Sequence, residues 1–252
     1  MKTLTLNNLE IKYSTPSKEN LVICKELNLQ FNQGEIIGVF GPNGSGKTSL
    51  LRALLKLKEL ASGNITYLET ITKKEKNPKK AYIPQGIQNS FFSWLDLKNN
   101  ILMASKEEKS LEHFLSLWSD FGITFKSSLR PSDCSGGMLQ QAAIIRAFIN
   151  KPDIIIGDEP FSALDVSTAG RVRSIFREKV KDKGVIAVLA LHNLDDLLCV
   201  CDKIVFIPNK PYSSKEKPPF HQIKVFKNPH VDGEEVSDKE RSLAHTLEQL
   251  FN

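Results

Sequence analysis

A glycine-rich stretch with a single lysine carries the most specific chemical pattern in the chain. Eight residues that follow an apolar segment match the pattern G-x-x-x-x-G-K-[ST]: Gly41, Pro42, Asn43, Gly44, Ser45, Gly46, Lys47 and Thr48. The glycines lack a Cβ, so successive backbone N–H groups can turn inward and form a nest for an anion. Lys47 is expected to reach the β- and γ-phosphates of a nucleotide, and Thr48 to place its hydroxyl on Mg²⁺. The helix-forming run from Ser49 would point its positive N-terminus at those phosphates.

Two adjacent acids form a second candidate for this chemistry. Asp158 and Glu159 end a short apolar run and are followed by Pro160. Neighbouring residues of a strand point to opposite faces, so the two carboxylates can serve one site only where the strand ends. We expect Asp158 to hold the magnesium through water and Glu159 to polarise the attacking water. Such a pair alone is also typical of a solvated turn, but beside a phosphate loop it indicates an NTPase.

A third motif lies just before a predicted helix over 139–149. It consists of Ser135, Gly136 and Gly137, which we call the signature motif. Free backbone N–H groups and a serine hydroxyl at a helix N-terminus suit a γ-phosphate. The motif resembles the LSGGQ sequence of the ATP-binding subunits of ABC transporters. In that family it meets the phosphate bound by the opposite subunit.

Four residues near the motif depart from the family pattern. Cys134 stands where leucine is usual, and Met138 stands where many members have glutamine. Met138 is familiar from the nitrate, sulfonate and taurine importer branch, whereas Leu139 and Gln141 replace arginines that are common there. The phosphate-facing atoms are kept, so we expect hydrolysis to survive. At a helix N-terminus a thiolate is favoured, so alkylation of Cys134 is predicted to weaken ATP-driven dimerisation.

The resemblance extends to four further positions in the family's order. Tyr13 matches the aromatic residue that stacks on adenine, although an edge-strand cap is an alternative. Gln85 matches the glutamine that contacts both magnesium and the membrane partner. Asp165 matches the aspartate of the loop that crosses the dimer interface, and His192 matches the histidine that contacts the γ-phosphate and Glu159. The resemblance therefore implies ATP and Mg²⁺ as ligands, with Glu159, His192 and Gln85 as the catalytic residues.

The fold implied by this resemblance is α/β, with a P-loop NTPase (RecA-like) core, an antiparallel β lobe and a helical subdomain. We expect an ABC ATPase domain over residues 1–215 and a C-terminal extension over 216–252. Within the domain, the expected parts are the β lobe (1–40), the P-loop core (41–88 and 151–207) and the helical subdomain (89–150).

Composition narrows the setting. The chain has 252 residues, 40% of them hydrophobic, with a formal net charge of +5 and four cysteines. Its longest apolar runs are far shorter than the roughly 20 residues of a bilayer span, and the N-terminus lacks the apolar core of a signal peptide. We therefore expect a cytoplasmic protein, peripheral on the inner face of the cell membrane. The lysines within 73–80 favour a solvated surface first and contact with anionic lipid second.

The partners implied by the family are a second subunit, either an identical copy or a second ATPase subunit, and an integral-membrane permease. A substrate-binding protein would serve the complex indirectly, and no nucleic acid is expected. The stretch 90–101 resembles the same importer branch, and its Phe91, Phe92 and Trp94 form either a docking surface or a buried core.

The superfamily offers two alternatives to an importer subunit. A DNA-repair or chromosome ATPase of the superfamily would carry a coiled coil or zinc insertion between Thr48 and Ser135, and the chain has neither. A regulatory relative without catalysis is disfavoured by four intact residues, Lys47, Asp158, Glu159 and His192. The transported solute cannot be derived, because ATPase subunits of this family do not touch it.

Overall fold

The computed structural model describes residues 2–14, 20–69, 74–75, 77–105, 107, 110–207, 212–213, 223–228, 242–243, 245–247 and 249. Only the backbone is described for 13–14, 20, 74–75 and 212–213. The strands are β1 (Lys2–Ser14), β2 (Asn20–Asn32), β3 (Ile36–Phe40), β4 (Ser62–Glu69), β5 (Lys74–Glu75), β6 (Lys80–Ile83), β7 (Ile154–Asp158), β8 (Ile186–Ala190), β9 (Lys203–Phe206), β10 (Tyr212–Ser213) and β11 (Lys224–Lys227). The α-helices are α1 (Lys47–Leu54), α2 (Leu97–Leu102), α3 (Ser110–Asp120), α4 (Gly136–Ile149), α5 (Val166–Lys183) and α6 (Leu194–Val200), and two 3₁₀ turns span Ile87–Ser90 and Pro131–Asp133.

A six-stranded sheet forms the centre of the molecule, in the order β11-β9-β3-β8-β7-β6. All its neighbouring strands are parallel except the edge pair β11–β9. Strands β3, β7 and β8 are buried at every residue, as expected for a parallel sheet covered on both faces. Alternate residues of these strands enter two separate apolar clusters, one containing α3 to α6 and the other containing α1 and the second sheet.

The second sheet is antiparallel, with the order β10-β2-β1-β4-β5. It differs from the β lobe expected over 1–40 in two ways. Strands β4 and β5, from later in the chain, pair with β1 and with each other. Strand β3 leaves the lobe and joins the parallel sheet, because it is apolar at every position and cannot present a polar face to water.

The segment between the two halves of the core is helical. Helix α4 packs against both α2 and α3, and α3 buries Phe114 and Leu117 against this cluster. Trp118 lies 5.2 Å from Phe114 and 5.2 Å from Phe125, measured between ring centroids, so it is part of the same packing. Among the described residues, no helix combines the length and apolar character needed to cross a bilayer. The α/β class expected from the sequence is confirmed by these two sheets and their helices.

Candidate active site

The phosphate loop connects β3 to α1, as its sequence pattern predicts. Gly44 and Gly46 have φ values of +80° and +104°, a region that residues with a Cβ rarely adopt. A Cβ at Gly46 would also collide with the side chain of Ile23. The hydroxyl of Ser45 is fully buried in this loop and has no hydrogen-bond partner among the described residues. The loop therefore keeps an unused polar atom inside a cradle that only glycines allow.

Lys47 opens α1 and is buried within the loop. Its Nζ donates hydrogen bonds to the carbonyl oxygens of Gly41, at 2.7 Å, and of Pro42, at 3.1 Å. Burial lowers the pKa of Lys47, while the charges of Glu159 and Asp158 raise it. Both present acceptors are neutral carbonyls, and an ammonium group bonds more strongly to an anionic oxygen. Lys47 is thus a buried cation with two nearby carboxylates and no formed ion pair among the described residues.

Asp158 reaches the phosphate loop from the end of β7. Its Oδ2 accepts a hydrogen bond of 2.8 Å from the Thr48 hydroxyl, joining residues that are 110 positions apart. Burial raises the pKa of Asp158, the Thr48 hydrogen bond lowers it, and the charge of Glu159 raises it. Oxygen atoms of this kind are the ligands that Mg²⁺ prefers, usually one or two from protein with the rest from water and phosphate. The pair meets that requirement.

Glu159 and His192 face each other beside this pair. Strands β3, β8 and β7 are parallel neighbours, so their carboxyl ends lie at one edge of the sheet. Glu159 has a φ of +55°, held by a hydrogen bond of 3.0 Å from its N–H to the carbonyl of Ala190. The His192 Nδ1 lies 3.4 Å from Glu159 Oε1, and the histidine side chain is half exposed. The structure therefore brings together Lys47, Thr48, Asp158, Glu159 and His192, which we call the strand-end cluster.

The signature motif is bound only locally. Ser135 caps α4, with its Oγ accepting a hydrogen bond of 3.3 Å from the backbone N–H of Met138. Gly136 and Gly137 lie against Ala163, since a Cβ at Gly137 would stand 3.1 Å from its carbonyl oxygen. No hydrogen bond or ion pair among the described residues joins the motif to the strand-end cluster.

Asp165 behaves in the same way at the start of α5. Its carboxylate accepts hydrogen bonds from the Ser167 hydroxyl, at 2.7 Å, and from the Thr168 N–H, at 3.0 Å. These bonds to Ser167 and Thr168 hold the pKa of Asp165 well below its usual range. Ser135 and Asp165 are thus both exposed, and the side chain of each caps its own helix. We call the signature motif together with Asp165 the signature face.

The expected activation of Cys134 is wrong. Helix α4 begins at Gly136 with Ser135 as its N-cap, so Cys134 lies outside the first turn. Its Sγ donates a hydrogen bond of 3.2 Å to the carbonyl oxygen of Arg130. Burial, followed by the charge of Asp133, raises the pKa of this thiol. The other departures are structural: Leu139 and Gln141 are buried on the inner side of α4.

Gln85 and the aromatic residues that follow it lie on the surface, with the exception of Phe91. Gln85 is exposed just before Gly86. No hydrogen bond joins it to Thr48 or Asp158 among the described residues. Phe91 is buried, whereas Phe92 and Trp94 are 44% and 69% exposed. The rings of Phe92 and Trp94 lie 5.0 Å apart, and we call them the aromatic pair. The buried-core alternative is therefore confirmed for Phe91, while the exposure of the aromatic pair leaves the docking surface a prediction.

Tyr13 is the one expected ATP contact whose side chain lies outside the described residues. Its backbone in β1 pairs with Leu21 of β2. Asn193 replaces the aspartate that is usual beside His192 in the family, a change that the sequence alone does not explain, and Asn100 was missed. Asn193 caps α6, accepting a hydrogen bond of 2.8 Å from Asp195 N–H. Asn100 is buried and bonds the backbone of residues 92–96, including the Phe92 N–H at 2.8 Å. The N-cap preference of asparagine points to the first, but no local pattern points to the second.

Comparison with known proteins places this geometry in a family. The family model described as ABC transporter matches residues 24–162. The nitrate import ATP-binding protein NrtC of Synechocystis sp. is 27% identical over 91% of this chain and 36% of its own length. The glutamine transport ATP-binding protein GlnQ of Geobacillus stearothermophilus is 30% identical over 85% of this chain and 90% of its own length.

A solved structure gives the same fold. The dimeric post-hydrolysis state of the ATP-binding cassette MJ0796 bound to ADP and Pi has a TM-score of 0.68 and 22% identity, covering 81% of this chain and 93% of that one. The chain spans about a third of the length of the nitrate relative. The resemblance to ABC ATP-binding subunits, including those of the nitrate branch, is confirmed. The chain belongs to the ABC transporter family, whose ATP-binding subunits are ATPases.

Proposed function

We propose that the chain binds and hydrolyses ATP to power an importer of small solutes, with ATP held between two subunits. The observation that carries this proposal is the division of the expected site. The strand-end cluster is assembled within one chain, whereas the side chain of Ser135 in the signature motif is exposed and bonds only its own helix. A second subunit in head-to-tail contact would bring its signature motif to the phosphate held by Lys47.

The residues of the strand-end cluster have separate roles in this proposal. Lys47 exchanges the carbonyls of Gly41 and Pro42 for phosphate oxygens, which are stronger acceptors. Glu159 orients the attacking water and takes its proton, while His192 stays within reach of both Glu159 and the γ-phosphate.

The proposal assigns magnesium to the same cluster. Thr48 and Asp158 would hold it, directly or through water, because their oxygen atoms already lie 2.8 Å apart. When bound, Mg²⁺ neutralises the charge that develops on the phosphate oxygens during transfer. Among the described residues, no group of three or more His, Cys, Asp or Glu side chains is arranged as a metal site. A site completed by phosphate and water agrees with that finding.

The permease contact is assigned to the aromatic pair. Phe92 and Trp94 stand on a short segment fixed by the buried Asn100, so exposed apolar rings are presented on a rigid base. Exposed aromatic residues on a rigid base are typical of protein interfaces. Gln85 precedes this segment and would sense both magnesium and the permease. In this proposal the chain lies at the inner face of the membrane, beside a permease that a substrate-binding protein serves.

Import is preferred to the non-transport alternative because the relatives are named as import and transport ATP-binding proteins. These names cover both nitrate and glutamine, so the proposal extends only to small solutes. The second subunit is either an identical copy or a paired ATPase subunit.

The sandwich arrangement is tested by trapping it. The variant Glu159→Gln should bind ATP without hydrolysing it and form an ATP-dependent dimer, measured by light scattering after size exclusion. The matched control Lys47→Ala, combined with Glu159→Gln, should remain monomeric. A Glu159→Gln chain that stays monomeric at saturating ATP would remove the ATP sandwich from the proposal.

The transport assignment is tested by purification from the membranes of the cells that make the protein. The tagged chain should recover a multi-span membrane protein, and Trp94→Ser should recover several-fold less of it. Leu57→Ser is the matched control, because Leu57 is an equally exposed apolar residue, at 71%, on the connection after α1. Equal loss with both variants, or recovery of nucleic acid in place of a membrane protein, would contradict import.

A further inference from the structure

Arg146 joins the signature helix to the segment that carries the aromatic pair. It lies in the last turn of α4, eleven residues after Ser135, or roughly 16 Å along the helix axis. Its Nη1 donates a hydrogen bond of 2.6 Å to the carbonyl oxygen of Ser90, and its Nη2 donates one of 2.8 Å to the Ser90 hydroxyl. Both donors of the planar guanidinium fork therefore reach one residue of the neighbouring segment.

The environment of this guanidinium is unusual for a buried cation. Burial lowers the pKa of Arg146, and no carboxylate is paired with it in the part of the chain that the structure describes. Its Cζ instead lies 4.3 Å from the ring centroid of Phe91, in a cation–π contact. A buried charge without a counterion lowers the stability of the fold, so an arginine that served packing alone would be expected to have a carboxylate partner. The site is built around Ser90 and Phe91.

Ser90 stands at the middle of a continuous path. Its hydroxyl donates a hydrogen bond of 2.7 Å to the carbonyl of Ile87, which closes the 3₁₀ turn that follows Gln85. Phe91 comes next and is buried, and the aromatic pair follows directly. Asn100 secures the far end by bonding the N–H and carbonyl of Phe92. The segment is thus fixed to α4 by Arg146 and to α2 by Asn100.

We propose that Arg146 is a positioning residue that transmits movement of the signature helix to the aromatic pair. The proposal rests on the function proposed above, in which ATP draws the signature motif toward the opposite subunit. When α4 moves, the two bonds to Ser90 and the contact with Phe91 oblige residues 87–94 to move with it. Binding of ATP then changes the surface offered to the permease, and binding of the permease acts back on the ATP site, because such coupling is reciprocal.

The experiment uses Trp94 as its own reporter. The chain has two tryptophans, so Trp118→Phe leaves Trp94 as the only one. In a Trp118→Phe, Glu159→Gln background, ATP should change the acrylamide quenching of Trp94 about twofold while the dimer forms. Arg146→Lys keeps the charge but loses the fork, and should reduce that ATP-dependent change at least about threefold. Dimer formation and the thermal midpoint are measured on the same samples.

Variants at Ser90 separate transmission from folding. Ser90→Ala should reduce the Trp94 response less than Arg146→Lys does, because the Ser90 carbonyl still accepts one bond, and Ser90→Thr should restore the response. Ser93→Ala is the matched control, since Ser93 is an exposed serine of the same segment. A full response in Arg146→Lys and Ser90→Ala, or no ATP response at Trp94 in the parent, would overturn the proposal. Loss of the dimer in the parent would instead count against the ATP sandwich.

Discussion

The strand-end cluster and the signature face differ in how far their bonds reach along the chain. Thr48 and Asp158 are hydrogen-bonded across 110 positions, and Glu159 faces His192 from the neighbouring strand. In the signature face, the side chains of Ser135 and Asp165 accept hydrogen bonds from residues two or three positions away. The strand-end cluster is therefore preorganised by the whole fold. The signature face is organised only locally, as the N-caps of two helices.

The two regions also differ in how well their charged side chains are stabilised within the chain. Burial moves the pKa values of Lys47 downward and of Asp158 upward, so both charged forms lack full compensation. Asp165 has the opposite character, because hydrogen bonds from Ser167 and Thr168 already stabilise its carboxylate and lower its pKa. In the strand-end cluster, a bound polyphosphate would compensate the charge of Lys47, and its cation would compensate the charge of Asp158. The signature face needs no ligand from its own chain to stabilise its charge, as expected for one half of a site shared between two subunits.

The largest expected effect concerns the first region alone. Lys47→Ala removes the buried cation and should lower ATP hydrolysis by at least about a thousandfold, because charge stabilisation at transferring phosphates is the main source of catalysis. Phosphate release and ATP affinity measure it. Lys80→Ala is the control, since Lys80 is also a lysine whose pKa burial lowers, but it bonds the end of α1 at Leu54. A loss as large in Lys80→Ala would show a general effect of removing a lysine.

A mixing experiment tests the division between the regions. Lys47→Ala damages only the strand-end cluster and Ser135→Arg only the signature face, so each variant should be inactive alone. A mixed dimer would hold one site with both halves intact, and activity should rise at least about tenfold above either variant. Mixing Lys47→Ala with Asp158→Asn is the control, because both changes damage the same half. Recovery in the control, or none in the test mixture, would contradict a site shared between subunits.

The strand-end cluster was largely predictable from the sequence, whereas its supports were not. Motifs such as the phosphate loop place Lys47 and Thr48 by local spacing, and a buried strand ending in two acids places Asp158. The antiparallel sheet was less accessible, because the pairing of β4 with β1 joins residues about 60 positions apart and depends on tertiary packing. Asn100 was hidden for another reason: its bonds to the backbone of residues 92–96 are local, but no sequence motif indicates them.

Boundaries explain the error at Cys134. The sequence places Cys134 close to a helix start, but the exact N-cap is not evident from the pattern, and in the structure Ser135 takes that position, so the thiol lies outside the first turn. The backbone of Glu159 was equally hidden, since its φ of +55° occurs at a residue that is neither glycine nor asparagine. Catalytic residues in uncommon backbone conformations are the points at which local preference is expected to fail.

The strain at Glu159 gives a medium-sized prediction. Glu159→Gly should be more stable than Glu159→Ala by about 1 kcal/mol, because only glycine adopts a positive φ without cost. For a chain of this size the difference is roughly 2–4 °C in the thermal midpoint. The control is Glu178 in the middle of α5, where the order should reverse and alanine should be the more stable. A less stable Glu159→Gly would show that this backbone is unstrained, and the strand-end cluster would lose one mark of its preorganisation.

The smallest expected effect concerns the signature face and its response to acid. The folded pKa of Asp165 lies below its ordinary value of about 4, so its ionised form stabilises the fold above that pH, and the contribution is lost as the pH falls toward the folded pKa. Asparagine caps a helix without titrating. The thermal midpoint of the native chain should therefore exceed that of Asp165→Asn by a constant amount from pH 8 to about pH 5, and the gap should narrow below about pH 4. The hydrogen bond from Ser167 is the largest cause of the lowered pKa of Asp165. The difference in thermal midpoint between chains with and without Asp165→Asn should therefore be smaller at every pH in a Ser167→Ala background. A gap that stays constant down to pH 3 would mean that Asp165 is not held by its own helix, and the signature face would then resemble the strand-end cluster.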